Sequence, residues 1–564
     1  MSHPISRHFV TIEGRWGTRQ VHYRRAGTGP AVLMLHQSPQ SSREFCALMQ
    51  RWAVHFTVIA PDTPGYGQSD PLATQAPDID MLAGALAEFV DAIGLHRFGI
   101  YGYHTGASIG LWYAVAHPER VSALAANGLA QFSEGECRLM LEKYLPPVIP
   151  AWDGSHLAWM WARMREQALF FPWHERSAAT RLPFDMPPAA ALQAAFMEFL
   201  RAGRHYASAY AAAMQARPDA VLGRLRVPLL VTAAAGDPLQ AHFPRLQALP
   251  ADAGTVAAGS REEALAQCLS HLLARRADPC PAPVATRPIA GRPWNRMLHL
   301  PAGQLRVRMQ TEGHGRPLVV VHDAGKSADT AERLVHGLAG SRSLLLIDLP
   351  GHGESDPAGD GGPRLAECAE LLRQAIGEAG LDACVVAGQG AGAWVALEAS
   401  RDRSSRIHAL ALLDPPFLDE DASARLRAHG LPAIEPQWHG GHLLEAWHML
   451  RDGRLFFPWF ERRADHARRV EPDLDEWRLQ EELLDLLRAP QAWRNLLAAA
   501  LDYPAAGALA ATSLPLAIGA AADGPWLAAS RDAASCHDGS VARQLPAGEA
   551  RWLPALLEAL GSDG

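Results

Sequence analysis

The segment of this chain with the clearest chemical promise is Phe98-Gly-Ile-Tyr-Gly102-Tyr103-His104-Thr105-Gly106. An apolar run ends there in a Gly-rich turn, and a helical pattern, Ala107–Ala116, follows. A strand that turns so sharply into a helix holds its middle residue in strained geometry and needs small neighbours so that strand and helix can approach. The middle residue is His104. An imidazole titrates near neutral pH, so it can take a proton from water or from a carbonyl compound. The N–H of Thr105 stands at the start of the helix, a place that favours developing negative charge. A base beside an oxyanion donor suits water activation or proton abstraction at a carbonyl group.

A second cluster is Trp152-x-Gly-x-His156-Leu-x3-Trp161-x3-Arg165, which leads into Leu169-Phe-Phe-Pro-Trp173-x-Glu-Arg176. The spacing i, i+4, i+8 puts Trp161, Arg165 and Leu169 on one helix face. His156 follows Asp153-Gly-Ser155, an N-cap signal, and a helix N-terminus favours neutral imidazole. The expectation is a lid in which His156 and Arg165 hold a carboxylate or polarise a carbonyl while Trp161 and Tyr103 bind an apolar body. Phe170 to Trp173 are expected mainly to pack the lid.

These residues sit in a chain that repeats itself. Pro64-Gly-Tyr-Gly-Gln-Ser-Asp70 returns as Pro350-Gly-His-Gly-Glu-Ser-Asp356, an offset of 350 − 64 = 286. The same offset relates His36 to His322 and Gly102–Gly106 to Gly388–Gly392. It also relates Trp152, Gly154, His156, Trp161, Arg165 and Leu169–Trp173 to Trp438, Gly440, His442, Trp447, Arg451 and Leu455–Trp459. One offset across separate segments means a duplicated domain. The Pro-rich stretch Arg275–Pro288 can continue neither a helix nor a central strand, which places a linker at 275–293 between domains 1–274 and 294–564.

Each half alternates short apolar runs with helical patterns. Strands are expected at Ala31–Leu35, Phe56–Ala60, Phe98–Tyr101, Val121–Ala125 and Leu229–Ala233, with a helix at Ile79–Ile93. The second half offers Leu318–Val321, Leu344–Ile347, Cys384–Ala387, Ile407–Leu413 and Leu514–Ile518. Such alternation implies βαβ units and a mostly parallel sheet, whose ligands bind beyond the carboxyl ends of the strands.

With these residues in place, the chain resembles a tandem pair of α/β-hydrolase-fold domains. The resemblance rests on His36-Gln-Ser-Pro, Pro61-Asp-x-Pro-Gly-Tyr-Gly-x-Ser-Asp70, the elbow at His104, His117-Pro-Glu-Arg-Val121 and Val227-Pro-Leu-Leu-Val followed by Asp237. It implies in each half a mostly parallel sheet flanked by helices, with a helical cap insertion at about 130–220 and again at about 416–506. The cap is similar to that of epoxide hydrolases, haloalkane dehalogenases and carbon–carbon hydrolases. By the resemblance, Asp237 stands where the acid follows the late strand, and His36 sits in the loop that flanks the oxyanion hole. The N–H groups of Gln37 or Ser38 would complete that hole with Thr105. His36 is expected mainly to order its own loop while bordering the substrate.

The departures decide the chemistry. The elbow residue is normally Ser, sometimes Asp or Cys; here it is His104 in the first half and Gly390 in the second. The segment that normally carries the base reads Ala258-Gly-Ser-Arg261, and its counterpart Pro546-Ala-Gly-Glu549; neither has a His. Neither an acyl-serine nor an aspartyl-ester mechanism fits. The first half is expected to be active, with His104 as base, Asp237 its orienter and Thr105, Gln37 or Ser38 as donors to an oxyanion. The expected reaction is hydrolysis of a small, partly apolar ester, lactone or diketone, without metal or organic cofactor. The alternatives are a cofactor-free lyase or isomerase working by proton abstraction, and a ligand-binding protein that has lost its chemistry. The second half is expected to be a degenerate partner in an intramolecular pseudo-dimer.

Composition bounds the rest. The 564 residues are 48% hydrophobic and 20% charged, an ordinary globular balance that excludes disorder for the bulk of the chain. A net charge of −8 without long runs argues against nucleic-acid and membrane-surface partners. No stretch has the apolar length of a membrane helix, and Met1-Ser-His-Pro-Ile-Ser-Arg-His8 lacks an apolar core, so no signal peptide is expected there. Seven dispersed cysteines fit neither a disulfide framework nor a zinc site. The expectation is a cytoplasmic protein, and its many Ala and Arg against few Lys hint at a GC-rich bacterial genome.

Overall fold

The computed structural model describes residues 3–247, 249–338, 340–359, 364–402, 404–522, 526–535, 537, 540–546 and 548–561. Cys536 and Ala547 of the sequence reading lie outside the described residues. Two compact units form, Met1–Ile149 with Trp159–Arg287, and Pro150–Ala158 with Pro288–Gly564. The division falls inside the Pro-rich stretch 275–293. It also assigns Pro150–Ala158, expected in the first cap, to the second unit.

The first unit is an eight-stranded sheet. Its strands are β1 (Ser6–Gly14), β2 (Gly17–Ala26), β3 (Ala31–Leu35), β4 (Thr57–Pro61), β5 (Phe98–Tyr103), β6 (Val121–Asn127), β7 (Leu229–Ala234) and β8 (Ala253–Ala258). They lie in the order β1-β2-β4-β3-β5-β6-β7-β8. From β4 to β8 every pairing is parallel, whereas β1–β2 is a hairpin and β2–β4 is antiparallel. The hairpin and β8 were not expected from apolar runs, because β8 is largely exposed and the hairpin mixes charges into its pattern.

Four helices of this half matter for the site: α1 (Ile79–Ala92), α2 (Thr105–Ala116), α3 (Ser155–Leu169) and α4 (Arg261–Leu273). Asp78 caps α1 by accepting from the Met81 N–H, and Ser260 caps α4 by accepting from Glu263. Helix α2 is buried along nearly its whole length, which explains its lack of an amphipathic stripe. Between β6 and β7 the chain leaves the sheet and builds the helical insertion that includes most of α3.

The second unit repeats the sheet with β9 (Trp294–Leu300), β10 (Gly303–Gln310), β11 (Gly315–Val321), β12 (Arg342–Ile347), β13 (Cys384–Gln389), β14 (Ile407–Leu413), β15 (Leu516–Ala521) and β16 (Ser540–Leu545). Their order is the same as in the first unit. Alternation along these buried strands feeds two cores. Val319, Val321, Leu345, Ile347, Val386 and Leu412 pack on one face, and Leu318, Val320, Leu344, Leu346, Val385 and Leu413 on the other. Helices α5 (Ala391–Ser400) and α6 (Gly441–Gly453) are the counterparts of α2 and α3. Among the described residues, no helix is long and apolar enough to cross a membrane.

Candidate active site

The first elbow joins β5 to α2 through His104, whose backbone has φ 49°. The His104 N–H donates to the Asn127 carbonyl at 2.9 Å, and its own carbonyl accepts from Ala107 at 2.9 Å. Gly106 is needed for the close approach, since a Cβ there would stand 2.0 Å from the Leu35 carbonyl oxygen. A non-glycine residue at positive φ is rare, and such strain tends to persist where the surroundings over-determine it.

The imidazole of His104 meets Asp237 just past β7. Nε2 lies 2.8 Å from Asp237 Oδ2, with the His side chain 27% exposed and the Asp 10%. Asp237 Oδ1 accepts from the Leu239 N–H at 2.9 Å. Burial works to raise the Asp237 pKa, but the adjacent His104 ring and these hydrogen bonds outweigh it and hold the carboxyl below its ordinary value. An ionised carboxylate only accepts, so the proton sits on Nε2. Nδ1 has no hydrogen-bond partner among the described residues and is the ring's basic atom.

This pair lines a cavity of about 500 Å³. Gln37, Tyr103, Thr105, Ser108 and Asn127 form part of its wall beside the sheet. The helical insertion contributes Tyr144, Gln167, Phe171, Leu182, Phe184, Tyr210 and Met214. The Tyr103 ring lies against His104, tilted by 38° with ring centroids 4.3 Å apart. Burial pushes the Tyr103 hydroxyl well above its usual range, so it is a neutral donor there.

The expected oxyanion donors are differently placed. The Gln37 N–H already donates to Glu44 Oε1 at 2.8 Å, and the Gln37 amide donates to Glu44 Oε2 at 2.9 Å. The Ser38 N–H donates to the Thr105 hydroxyl at a longer 3.3 Å. The Thr105 N–H is the one of the three without a partner among the described residues. Glu44, which the sequence reading passed over, is pushed up to about 7 by burial, against the opposing bonds from Gln37.

Other expected site residues lie elsewhere. His36 is buried; its Nδ1–H donates to the Gln37 carbonyl at 2.8 Å and its Nε2 accepts from Thr63 at 2.9 Å, so it ties two loops and does not line the cavity. His156, Trp161 and Arg165 do not line it either. The Nδ1 of His156 accepts from the Ala151 N–H at 3.1 Å, and its ring stands edge-on to Trp447. Its pKa is lowered to about 4 mainly by burial, not by the helix terminus that the sequence suggested. In the second copy His442 Nδ1 accepts from Gln437 in the same way, at 3.2 Å. The duplicated histidine is a loop tie. Trp161 is fully buried. Of the aromatic run, Trp173 donates to the Tyr144 carbonyl at 3.1 Å, while Phe171 reaches the cavity wall. The cation that lines the cavity is Arg261, the first residue of α4. Its signal in the sequence is the segment Ala258-Gly-Ser-Arg261, which carries an Arg and no His.

The second elbow is built differently. Gly390 takes φ 53°, and Asp323, the counterpart of Gln37, turns its carboxylate into the space beside it. Asp323 Oδ1 accepts from both the Ala391 and the Ala324 N–H at 2.8 Å. These are the counterparts of the Thr105 and Ser38 N–H groups. The anion hole of the second unit is thus filled by the protein's own carboxylate, and a Cβ on Gly390 would stand 2.2 Å from Asp323 Cγ. The cavity there, about 1050 Å³, is lined mostly by charged side chains that include Lys326, Arg454, Asp473 and Glu549, with Trp552 among the few aromatic rings.

Comparison with known proteins agrees with this architecture. A family model described as the alpha/beta hydrolase fold matches residues 30–243, and one described as the alpha/beta hydrolase family matches residues 318–560. Similar proteins include an uncharacterised hydrolase of Saccharomyces cerevisiae, 31% identical over 137 residues, or 24% of this chain and 47% of that protein. A soluble epoxide hydrolase of Corynebacterium sp. is 33% identical over 22% of this chain and 42% of its own length. Haloalkane dehalogenase 2 of Mycobacterium tuberculosis is 33% identical over 20% of this chain and 40% of its own length. Each of these matches spans less than half of the relative. The crystal structure of epoxide hydrolase A from Mycobacterium thermoresistibile aligns with a TM-score of 0.39 at 19% identity, over 49% of this chain and all of that one.

Proposed function

The chain belongs to the α/β-hydrolase superfamily as two such domains in tandem, and from that premise we propose that its first half hydrolyses a small, partly apolar carbonyl compound with His104 as general base. The observation that carries this reading is the 2.8 Å bond between His104 Nε2 and Asp237 inside a cavity with apolar and aromatic walls. The bond fixes the tautomer and leaves Nδ1 to take a proton from water as it attacks the carbonyl carbon. Asp237 stabilises the imidazolium that forms. The Thr105 N–H meets the developing oxyanion, with the neutral Tyr103 hydroxyl as a second donor. No acyl-enzyme is needed, because water is the nucleophile.

A specific observation favours a second reading. Two of the three expected oxyanion N–H groups are engaged within the protein, and an incomplete hole serves an enolate less critically than a tetrahedral intermediate. On that reading the same base abstracts a proton next to a carbonyl, as a lyase or isomerase would.

The test is a panel of aryl esters, lactones and β-diketones, assayed across about pH 5–9 with the unaltered protein and His104→Ala. Turnover that is lost in the variant supports His104 as base. Turnover that survives unchanged removes it from the mechanism. Saturable binding without turnover favours a protein that only binds its ligand.

A further inference from the structure

Besides its tyrosines, which burial keeps neutral, the cavity wall carries His104, Asp237 and Arg261 as its acidic and basic side chains. The first two are bonded to each other. Arg261 has no ion pair or hydrogen bond to its guanidinium among the described residues, although carboxylates are plentiful on α4 itself. Its neighbour Glu262 pairs with Arg51 at 2.8 Å, and Glu263 is turned back onto the Gly259 N–H. Arg261 is exposed at its place on the wall, and its charge contributes in a minor way to lowering the pKa of the Glu44 carboxyl and of the Tyr103 hydroxyl. Much of the remaining wall is aromatic or aliphatic, with Phe132, Phe171, Phe184 and Leu182 among its residues.

We propose that Arg261 makes the His104 cavity select anions, so that its ligand is a small carboxylate-bearing compound with an aryl or alkyl body. A guanidinium offers a planar fork that matches a carboxylate, and it is more weakly hydrated than an ammonium, so an unpaired one beside apolar walls is a ready anchor. Anchored there, the ligand's apolar body lies against the phenylalanines and its reactive carbonyl faces His104. Arg165, which the sequence put forward for this role, is not on the wall. The proposal deepens the hydrolytic reading and rests on it in taking this cavity as the substrate pocket.

Binding equilibria separate the two ideas. Calorimetric titration of the full chain with 2-naphthoate and with the isosteric neutral 2-naphthamide reads charge preference without any turnover. The expected result is a roughly three- to tenfold tighter Kd for the carboxylate, within the range of a partly exposed charge-assisted bond. Arg261→Gln should reduce that preference to less than about twofold, and Arg261→Lys should keep part of it. Far-UV circular dichroism and the thermal midpoint verify that both variants are folded. Equal binding of the two probes, no binding of naphthoate, or a preference that persists in Arg261→Gln would each overturn the proposal. If the preference is present but nothing in the carbonyl panel turns over, the hydrolytic reading falls and the anion pocket stands. If His104-dependent turnover occurs without the preference, the reverse holds.

Discussion

Gly128 and His104 share one small volume: a Cβ on Gly128 would stand 2.2 Å from His104 Cδ2. Gly128 also takes φ 78°, directly after β6. In the second unit the exchange is reciprocal. The elbow is Gly390, and the counterpart of Gly128 is Asp414, held at φ 48° with its carboxylate accepting from the Ala521 N–H at 3.2 Å. A large elbow residue goes with a bare partner, and a bare elbow with a large one. Gly128→Ala should therefore displace the imidazole and lower turnover about as far as His104→Ala, roughly 10²–10⁴-fold. Assay of both variants against the same substrate checks it, and full activity in Gly128→Ala would mean that the ring position is not what matters.

Asp237→Asn tests the partner of the base. An amide can present its NH2 to Nε2, which moves the ring proton to Nδ1 and removes the basic atom. Turnover should fall by about 10²–10⁴-fold with little change in Kd for a substrate analogue. The folded-state pKa of Asp237 is lowered, so its carboxylate contributes stability that is present above the unfolded value near 4 and lost as pH falls through the folded value. Denaturant unfolding should accordingly separate the two proteins at pH 7 and bring them together as pH drops below about 4.

The buried strands β3, β5, β6, β11 and β14 were readable because each is a short apolar run with turn residues at its ends. The exposed strand β8 and the charged hairpin β1–β2 were not, because neither carries that pattern. His104 stood out by position, since a strand–turn–helix places its middle residue whatever that residue is. Contacts that depend on side-chain reach were not readable. The helix spacing put Trp161 and Arg165 on one face, but no spacing says which face meets the cavity. Glu44 lies seven residues beyond Gln37 in what reads as ordinary loop and helix, yet it closes on both of that residue's donors.

The self-filled anion hole of the second unit predicts a stability effect without an activity effect. Two backbone N–H groups donate to Asp323 Oδ1, and burial holds the carboxyl above its usual range. Asp323→Ala would leave both donors without an acceptor, at a cost of about 1–3 kcal/mol. Gly390→Ala should cost a similar amount, because its Cβ needs the space of the Asp323 carboxylate and its φ is positive. Guanidinium unfolding monitored by tryptophan fluorescence reads both. Turnover by the first half should be unchanged.

His156 and His442 should matter to folding and not to turnover. Burial lowers both to about 4, against an ordinary value near 6.5. Between those values the unfolded chain binds protons that the folded chain does not, so stability rises with pH across the window. The double variant His156→Asn, His442→Asn lacks both groups and should show a flatter dependence of unfolding free energy between about pH 4.5 and 6.5. Equal slopes in the two proteins would show that the buried rings do not set it.

Glu44 gives the opposite slope. It accepts both the backbone N–H and the side-chain amide of Gln37, in reach of the fields of His104 and Arg261. Burial nevertheless pushes its carboxyl up to about 7 from an ordinary 4.5. Between those values the folded chain holds a proton that the unfolded chain has released, so stability falls as pH rises through the window. Glu44→Gln cannot ionise and escapes this loss. It keeps one acceptor for Gln37 but gives up the second, so it should be the less stable protein at pH 5. The gap should close or reverse by pH 8, a relative change of about 1–3 kcal/mol. Turnover carries a further signature, because Gln37 lines the same cavity as His104. If the Glu44 carboxylate positions Gln37, Glu44→Gln should alter KM and kcat only above about pH 7, where the unaltered protein carries the charge. A pH-independent loss of activity in the variant would instead make Glu44 a packing group, with no part in setting the site's response to pH.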